Sequence, residues 1–340
     1  MKTTLKFITL FFVLLQFQVL VAQTDSVNTG IDHDLTIYVI PEVSPIEWVN
    51  PSVLFKTTIK CYLKAALRKH YYVIGHIISR IRSPLLDSAV YIAMNGALQS
   101  EKVEYVIKKK VGLGVFGSTI KGRIEPVDHI HKGLELYGKR GKIAYLKFKI
   151  NEEAVQRLIE FVRYYQQKNE TGLAPSEYYN GALWPRYEKE GSGCSAFGVT
   201  LLDIANVLPS EAKNEWIISV DVPLELIGGE FNNNKKVKLG SILKTKSWYK
   251  GDGKEGVDFV NYSVYDPGLI FNWVNNKRLL NDEDYIPDSE NSLNGLVVDR
   301  RNVTFDDNAI LQRKDTTFFS RFYYGKIKKM TEKNLTSIQN

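Results

Sequence analysis

The sequence predicts an α+β fold: an antiparallel sheet packed on helices, followed by a C-terminal extension of strands and loops. Three observations carry this expectation. Short runs of β-branched and aromatic residues, such as Leu35-Thr36-Ile37-Tyr38-Val39-Ile40 and Tyr71 to Ile81, read as strands. Other stretches repeat apolar residues three and four apart, which is the helical period. Hydrophobic residues make up 44% of the 340, enough for a full core, and the two cysteines, Cys61 and Cys194, are too few for a disulfide framework.

The chain opens with Lys2 and Lys6, an apolar run from Phe7 to Val21, then Ala22-Gln23. A basic start, a short apolar core and a small residue before a polar one describe a secretory signal peptide over residues 1–22. The expected product is periplasmic or secreted. Residues 23–50 form an N-terminal segment with a strand at Leu35 to Ile40. From Pro51 to about Lys69 a helix is expected, with proline in its first turn and apolar Leu54, Ile59, Tyr62, Leu63, Ala66 and Leu67. It carries a basic stripe, Lys56, Lys60, Lys64 and Arg68, which reads either as a solvent face or as a contact for an anionic wall polymer or lipid head group.

Strands are expected at Tyr71 to Ile81, Ala89 to Ala93 and Val103 to Lys108. Gly112-Leu113-Gly114-Val115-Phe116-Gly117 matches G-x-G-x-x-G by letter, but no helical period follows it, so it reads as a glycine-rich loop and not a dinucleotide site. The strand Ile143 to Ile150 leads into a helix capped by Asn151, with Glu152 and Glu153 in its first turn and Val155, Leu158, Ile159 and Val162 on one face. Strands are expected again at Trp216 to Val222 and Lys236 to Leu243, and the remainder reads as loops anchored by Trp248 and Trp273. Without a repeat or composition break, residues 51–215 read as one core and 216–340 as an extension packed on it.

The formal charge is +7 and the pI about 9.0. No basic patch is interleaved with aromatics, so a nucleic-acid partner is not expected. Lys108-Lys109-Lys110 and Lys235-Lys236 read as solvated turn charges. Asp128-His129-Ile130-His131 would place two imidazoles on one face of a strand, but no further ligand cluster lies near it in the sequence, and neither metal nor cofactor is expected.

The chemistry concentrates at Gly191-Ser192-Gly193-Cys194-Ser195-Ala196-Phe197. Glycines and serine give a tight, exposed approach to a helix that runs to Leu208 and is stopped by Pro209, with Cys194 in its first turn. Unpaired amide N–H groups and the helix dipole there favour thiolate over thiol. His76 follows Gly75 inside an apolar strand, where glycine admits a close neighbour. Cysteine and histidine together suffice for thiol nucleophilic catalysis, with a third polar group to orient the imidazole. The competing readings are a packed cysteine, a core histidine, or a Cys61–Cys194 bridge that would abolish the nucleophile.

Gly75-His76 on a strand, a helix from Asn151 to Lys168, and Gly-Cys-Ser-Ala-Phe opening a second helix resemble the circularly permuted branch of the NlpC/P60 papain-like superfamily, over roughly residues 70 to 208. In that branch the histidine precedes the cysteine. The resemblance implies a permuted papain-like core and a cysteine hydrolase acting on amides, most commonly of cell-wall peptides, with Cys194 as nucleophile and His76 as base. The family's third residue is polar and lies on the strand after the histidine. That strand holds no acid, so Asn95 is the expected orienting group, with Ser88 and Glu101 as rivals. The backbone N–H of Cys194 or Ser195 would stabilise an oxyanion, aided by Tyr179 or Tyr187. Acyl transfer or lipid-amide hydrolysis by the same pair is an alternative, as is a non-catalytic envelope module that binds glycan or protein.

Overall fold

The computed structural model describes residues 32–68, 70–97, 99–280 and 282–339. The expected signal peptide lies outside the described residues. In chain order the elements are β1 Asp34–Glu42, α1 Pro51–Arg68, β2 Ile74–Arg82, β3 Val90–Ile92, β4 Met94–Gly96, α2 Gln99–Ile107, β5 Ile120–Ile124 and α3 Val127–Gly138. There follow β6 Ala144–Lys149, α4 Glu152–Gln166, β7 Tyr178–Tyr179, α5 Cys194–Ile204, α6 Ala212–Glu215, β8 Ile217–Pro223 and α7 Leu239–Lys244. The chain closes with β9 Phe259–Tyr265, α8 Pro267–Lys277, β10 Ile286–Glu290, β11 Leu293–Asp299 and α9 Phe318–Gln339.

A six-stranded sheet of order β10-β11-β6-β1-β2-β3 forms the centre. Its neighbours are antiparallel except β11 and β6, which run parallel. Alternate residues of the buried strand β1 serve two cores, because successive side chains of a strand point to opposite faces. Leu35, Ile37 and Val39 join Ile77, Leu146, Phe148 and the apolar sides of α4, α5 and α8. Tyr38 and Ile40 join Ile78, Tyr145 and residues Ile130 and Tyr137 of α3. The sheet is thus covered on both faces.

The mixed α+β class and the central strands agree with the sequence, and Asn151 caps α4 as expected, accepting from the Ala154 N–H at 2.9 Å. The central sheet nonetheless reaches outside residues 51–215, taking β1 from before that stretch and β10 and β11 from the segment read as a wrapped extension. Hydrogen bonding between distant strands, invisible to local periodicity, decides this. Residues 217–223 and 259–265 form a separate antiparallel pair with its own apolar cluster of Val222, Leu226, Val260, Tyr262 and Phe319.

Three local expectations are corrected. Val103 to Lys108 is not a strand but belongs to α2, where Glu101 and Glu104 favour a helix and Val103 and Ile107 remain exposed. The strand expected at Lys236 to Leu243 gives way to the short helix α7, in which Ile242 is the buried apolar residue. Asp128 to His131 lies in α3, started by Pro126, so His129 and His131 diverge around the helix rather than sharing a face. His131 packs edge-on against Tyr91, and among the described residues no cluster of three potential metal ligands forms. No helix among them is long and apolar enough to cross a membrane.

Candidate active site

Two close approaches bring the distant residues together. Gly198, one turn into α5, lies directly on β2: a Cβ there would sit 2.4 Å from Ile77 Cγ2. The helix that begins with Cys194 is therefore seated against the strand that begins with Gly75-His76. Gly75 itself has φ of +83°, and a Cβ on it would meet Pro267 at 2.9 Å. A side chain there would strain the backbone just where the strand delivers its histidine.

His76 and Cys194 share a side-chain hydrogen bond. The other ring nitrogen, Nε2, lies 2.8 Å from Glu125 Oε2. An ionised carboxylate only accepts, so Nε2 carries the proton and Nδ1 is left for the sulfur. The orienting group is thus Glu125 and not Asn95. Asn95 sits on β4 opposite Arg123, and of its two rivals Glu101 accepts from the Lys121 N–H at 2.8 Å. Glu125 immediately follows β5, whose pairing with β4 and β7 fixes its position, and its N–H bonds to Ala93 O at 2.9 Å.

Glu125 has further partners. The Tyr72 hydroxyl donates to Oε1 at 2.7 Å, and His129 Nδ1, one turn along the start of α3, bonds to the same oxygen. The Tyr72 ring stacks on His76 with centroids 4.0 Å apart and planes 10° apart. Burial opposes ionisation of Glu125, yet the bonds from His76, Tyr72 and His129 hold its carboxyl below the usual range. Burial alone would drive the proton off His76. The Cys194 thiolate and Glu125 outweigh it, and the imidazole pKa rises to about 9. This arrangement keeps the imidazole protonated at neutral pH.

Cys194 is 8% exposed and Cys61 fully buried, and neither is in a disulfide. The bridge is excluded: Cys61 donates from α1 to Val73 O at 3.0 Å. The Gly-Ser-Gly approach is not exposed as expected but buried, with Ser192 hydrogen bonded to Tyr165 at 2.9 Å. Gly193 is the N-cap of α5, and it leaves the first N–H groups of the helix beside the sulfur. Ser195 Oγ lies 3.9 Å from Cys194 Sγ.

Of the two tyrosines expected near the oxyanion, Tyr179 is there. Its hydroxyl donates to Cys194 Sγ at 3.7 Å and accepts from the Cys194 backbone N–H. Burial and the adjacent sulfur push its pKa well up, so it remains a neutral donor. Tyr187 is elsewhere: it stacks on Arg313 and lines a surface cavity of about 1110 Å³ with Tyr164 and Glu188. Tyr262 of β9 lies within electrostatic range of Cys194 and stacks on Phe116 at 4.4 Å, which brings the C-terminal part of the chain to the site.

Sequence reading missed Glu125, Tyr72 and Tyr262, and weighed His129 only as a metal ligand on a strand, whereas it bonds to Glu125 from α3. A signal for Glu125 was present in Glu125-Pro126-Val127-Asp128-His129: an acid before a proline-started helix, with a histidine four residues on. Compared with known proteins, the chain matches no family model, no curated protein and no solved structure.

Proposed function

We propose that the protein is a cysteine hydrolase that cleaves amide bonds through a Cys194 thioester. The observation that carries this reading is the chain of contacts from sulfur to imidazole to carboxylate. The Cys194 thiolate attacks the acyl carbon, and the Tyr179 hydroxyl and the N–H groups at the start of α5 are placed to donate to the developing oxyanion. As the C–N bond breaks, the His76 imidazolium gives its proton to the departing amine. Neutral His76 then takes a proton from water, whose oxygen attacks the thioester carbon. The acid leaves, and thiolate and imidazolium are restored. Glu125 is a positioning residue that holds the ring by Nε2.

The resemblance to permuted NlpC/P60 enzymes makes cell-wall peptides the first substrate class, in a periplasmic or secreted protein. Acyl transfer or lipid-amide hydrolysis by the same pair is the second reading. The test is turnover of a panel of muropeptides and N-acyl amides by wild type, Cys194→Ala and His76→Ala. Wild type is expected to exceed both variants by roughly 10⁴-fold on at least one substrate. Equal rates on every member would remove the proposal.

A further inference from the structure

The amphipathic helix α1 is inverted for a surface helix. Its core contacts run through Leu54, Cys61 and Ala65. A neighbouring i, i+4, i+8 row, Ile59, Leu63 and Leu67, is left 44%, 62% and 85% exposed. The next row is Lys56, Lys60, Lys64 and Arg68, exposed or half-buried. A solvent-facing helix has no use for three aliphatic side chains in line, and such a row beside a basic row is the pattern of a helix lying in a membrane interface. We propose that α1 docks the protein on anionic lipid bilayers, with the Ile59-Leu63-Leu67 row entering the acyl boundary and the lysine row on the head groups.

Two features of the molecule choose a bilayer over a second copy of the chain. A two-fold contact through this face would bring the same cationic row of both copies together, whereas anionic head groups neutralise it. The formal charge of +7 acts in the same direction. The proposal does not depend on the hydrolase reading, since docking needs no turnover.

The experiment is cosedimentation of the full chain with phosphatidylcholine vesicles, with and without phosphatidylglycerol. The comparison is among wild type, Leu63→Glu/Leu67→Glu, Lys56→Gln/Lys60→Gln/Lys64→Gln and Cys194→Ala. Wild type and Cys194→Ala are expected to bind the anionic vesicles alike and to be released by salt. The lysine variant should bind on the order of 100-fold more weakly, about five-fold per charge. The leucine variant should lose at least ten-fold. Because the altered α1 side chains are exposed or half-buried, melting temperature, together with Cys194 alkylation in the two α1 variants, serves as a folding control that should not move. Equal sedimentation of all four proteins, indifference to phosphatidylglycerol, or a dimer that Leu63→Glu/Leu67→Glu dissolves without any vesicle binding would each overturn the proposal. The last outcome would assign the face to a second copy.

Discussion

The two cysteines sit on two helices that each carry a row of apolar residues, and the rows have opposite fates. In α5 ten of the eleven residues from Cys194 to Ile204 are buried, packed between β2 and α4. In α1 only Pro51, Ser52, Leu54, Cys61 and Ala65 are buried along its length, and leucines stand in solvent. Cys194, at a helix start, meets an imidazole held by a carboxylate. Cys61, mid-helix, meets a backbone carbonyl. A row of aliphatic side chains does not by itself say whether it will be buried, and residue type does not tell a nucleophile from a packed thiol. What surrounds the side chain decides both.

The comparison can be broken most directly at the thiols. Cys194 should react with iodoacetamide at least 100-fold faster than Cys61, in line with thiolate character and access. Mass spectrometry of the labelled peptides checks this, and equal rates would dissolve the distinction. At the apolar rows, Leu201→Ala in α5 should destabilise the fold by about 2–5 kcal/mol through the cavity it leaves. Leu67→Ala in α1 should cost no more than about 0.5 kcal/mol. Paired denaturant melts measure the contrast.

Glu125→Gln tests the held imidazole. It should lower kcat by roughly 100-fold, and it should move the alkaline limb of the pH profile below its wild-type position near 9, because the carboxylate that raises the His76 pKa is gone. A lowered kcat with an unmoved limb would make Glu125 merely structural. Stability follows the same group. The folded pKa of His76, about 9, exceeds its ordinary 6.5. Its contribution is therefore complete below 6.5 and is lost as pH rises through 9. Thermal melts across that window should show the decline in wild type and a flatter curve in His76→Ala. Cys61→Ala loses one sulfur contact and should cost about 1 kcal/mol while leaving turnover unchanged.

Several features were legible before any tertiary contact was known. The periods of β1, β2, β6 and α4, the Asn151 cap and the placement of Cys194 at a helix start follow from local backbone and packing rules that act within a few residues. His76 stood out because an imidazole after glycine is unusual in an apolar strand. The third member of the site was misplaced by one strand: Asn95 lies on β4, whereas Glu125 lies just past the end of β5, the strand paired with it.

The sequence by itself determined β1, β2, β6 and α4 and the two groups that could carry chemistry, since these depend on neighbours in the chain. Only the tertiary structure decided that the C-terminal strands β10 and β11 complete the central sheet, that Glu125 holds His76, and that one apolar face of α1 is left facing water. Each of these is a contact, or a missing contact, between segments far apart in the chain. Such pairings are fixed by how sheets align and how helices find room on them, and local periodicity carries no record of that.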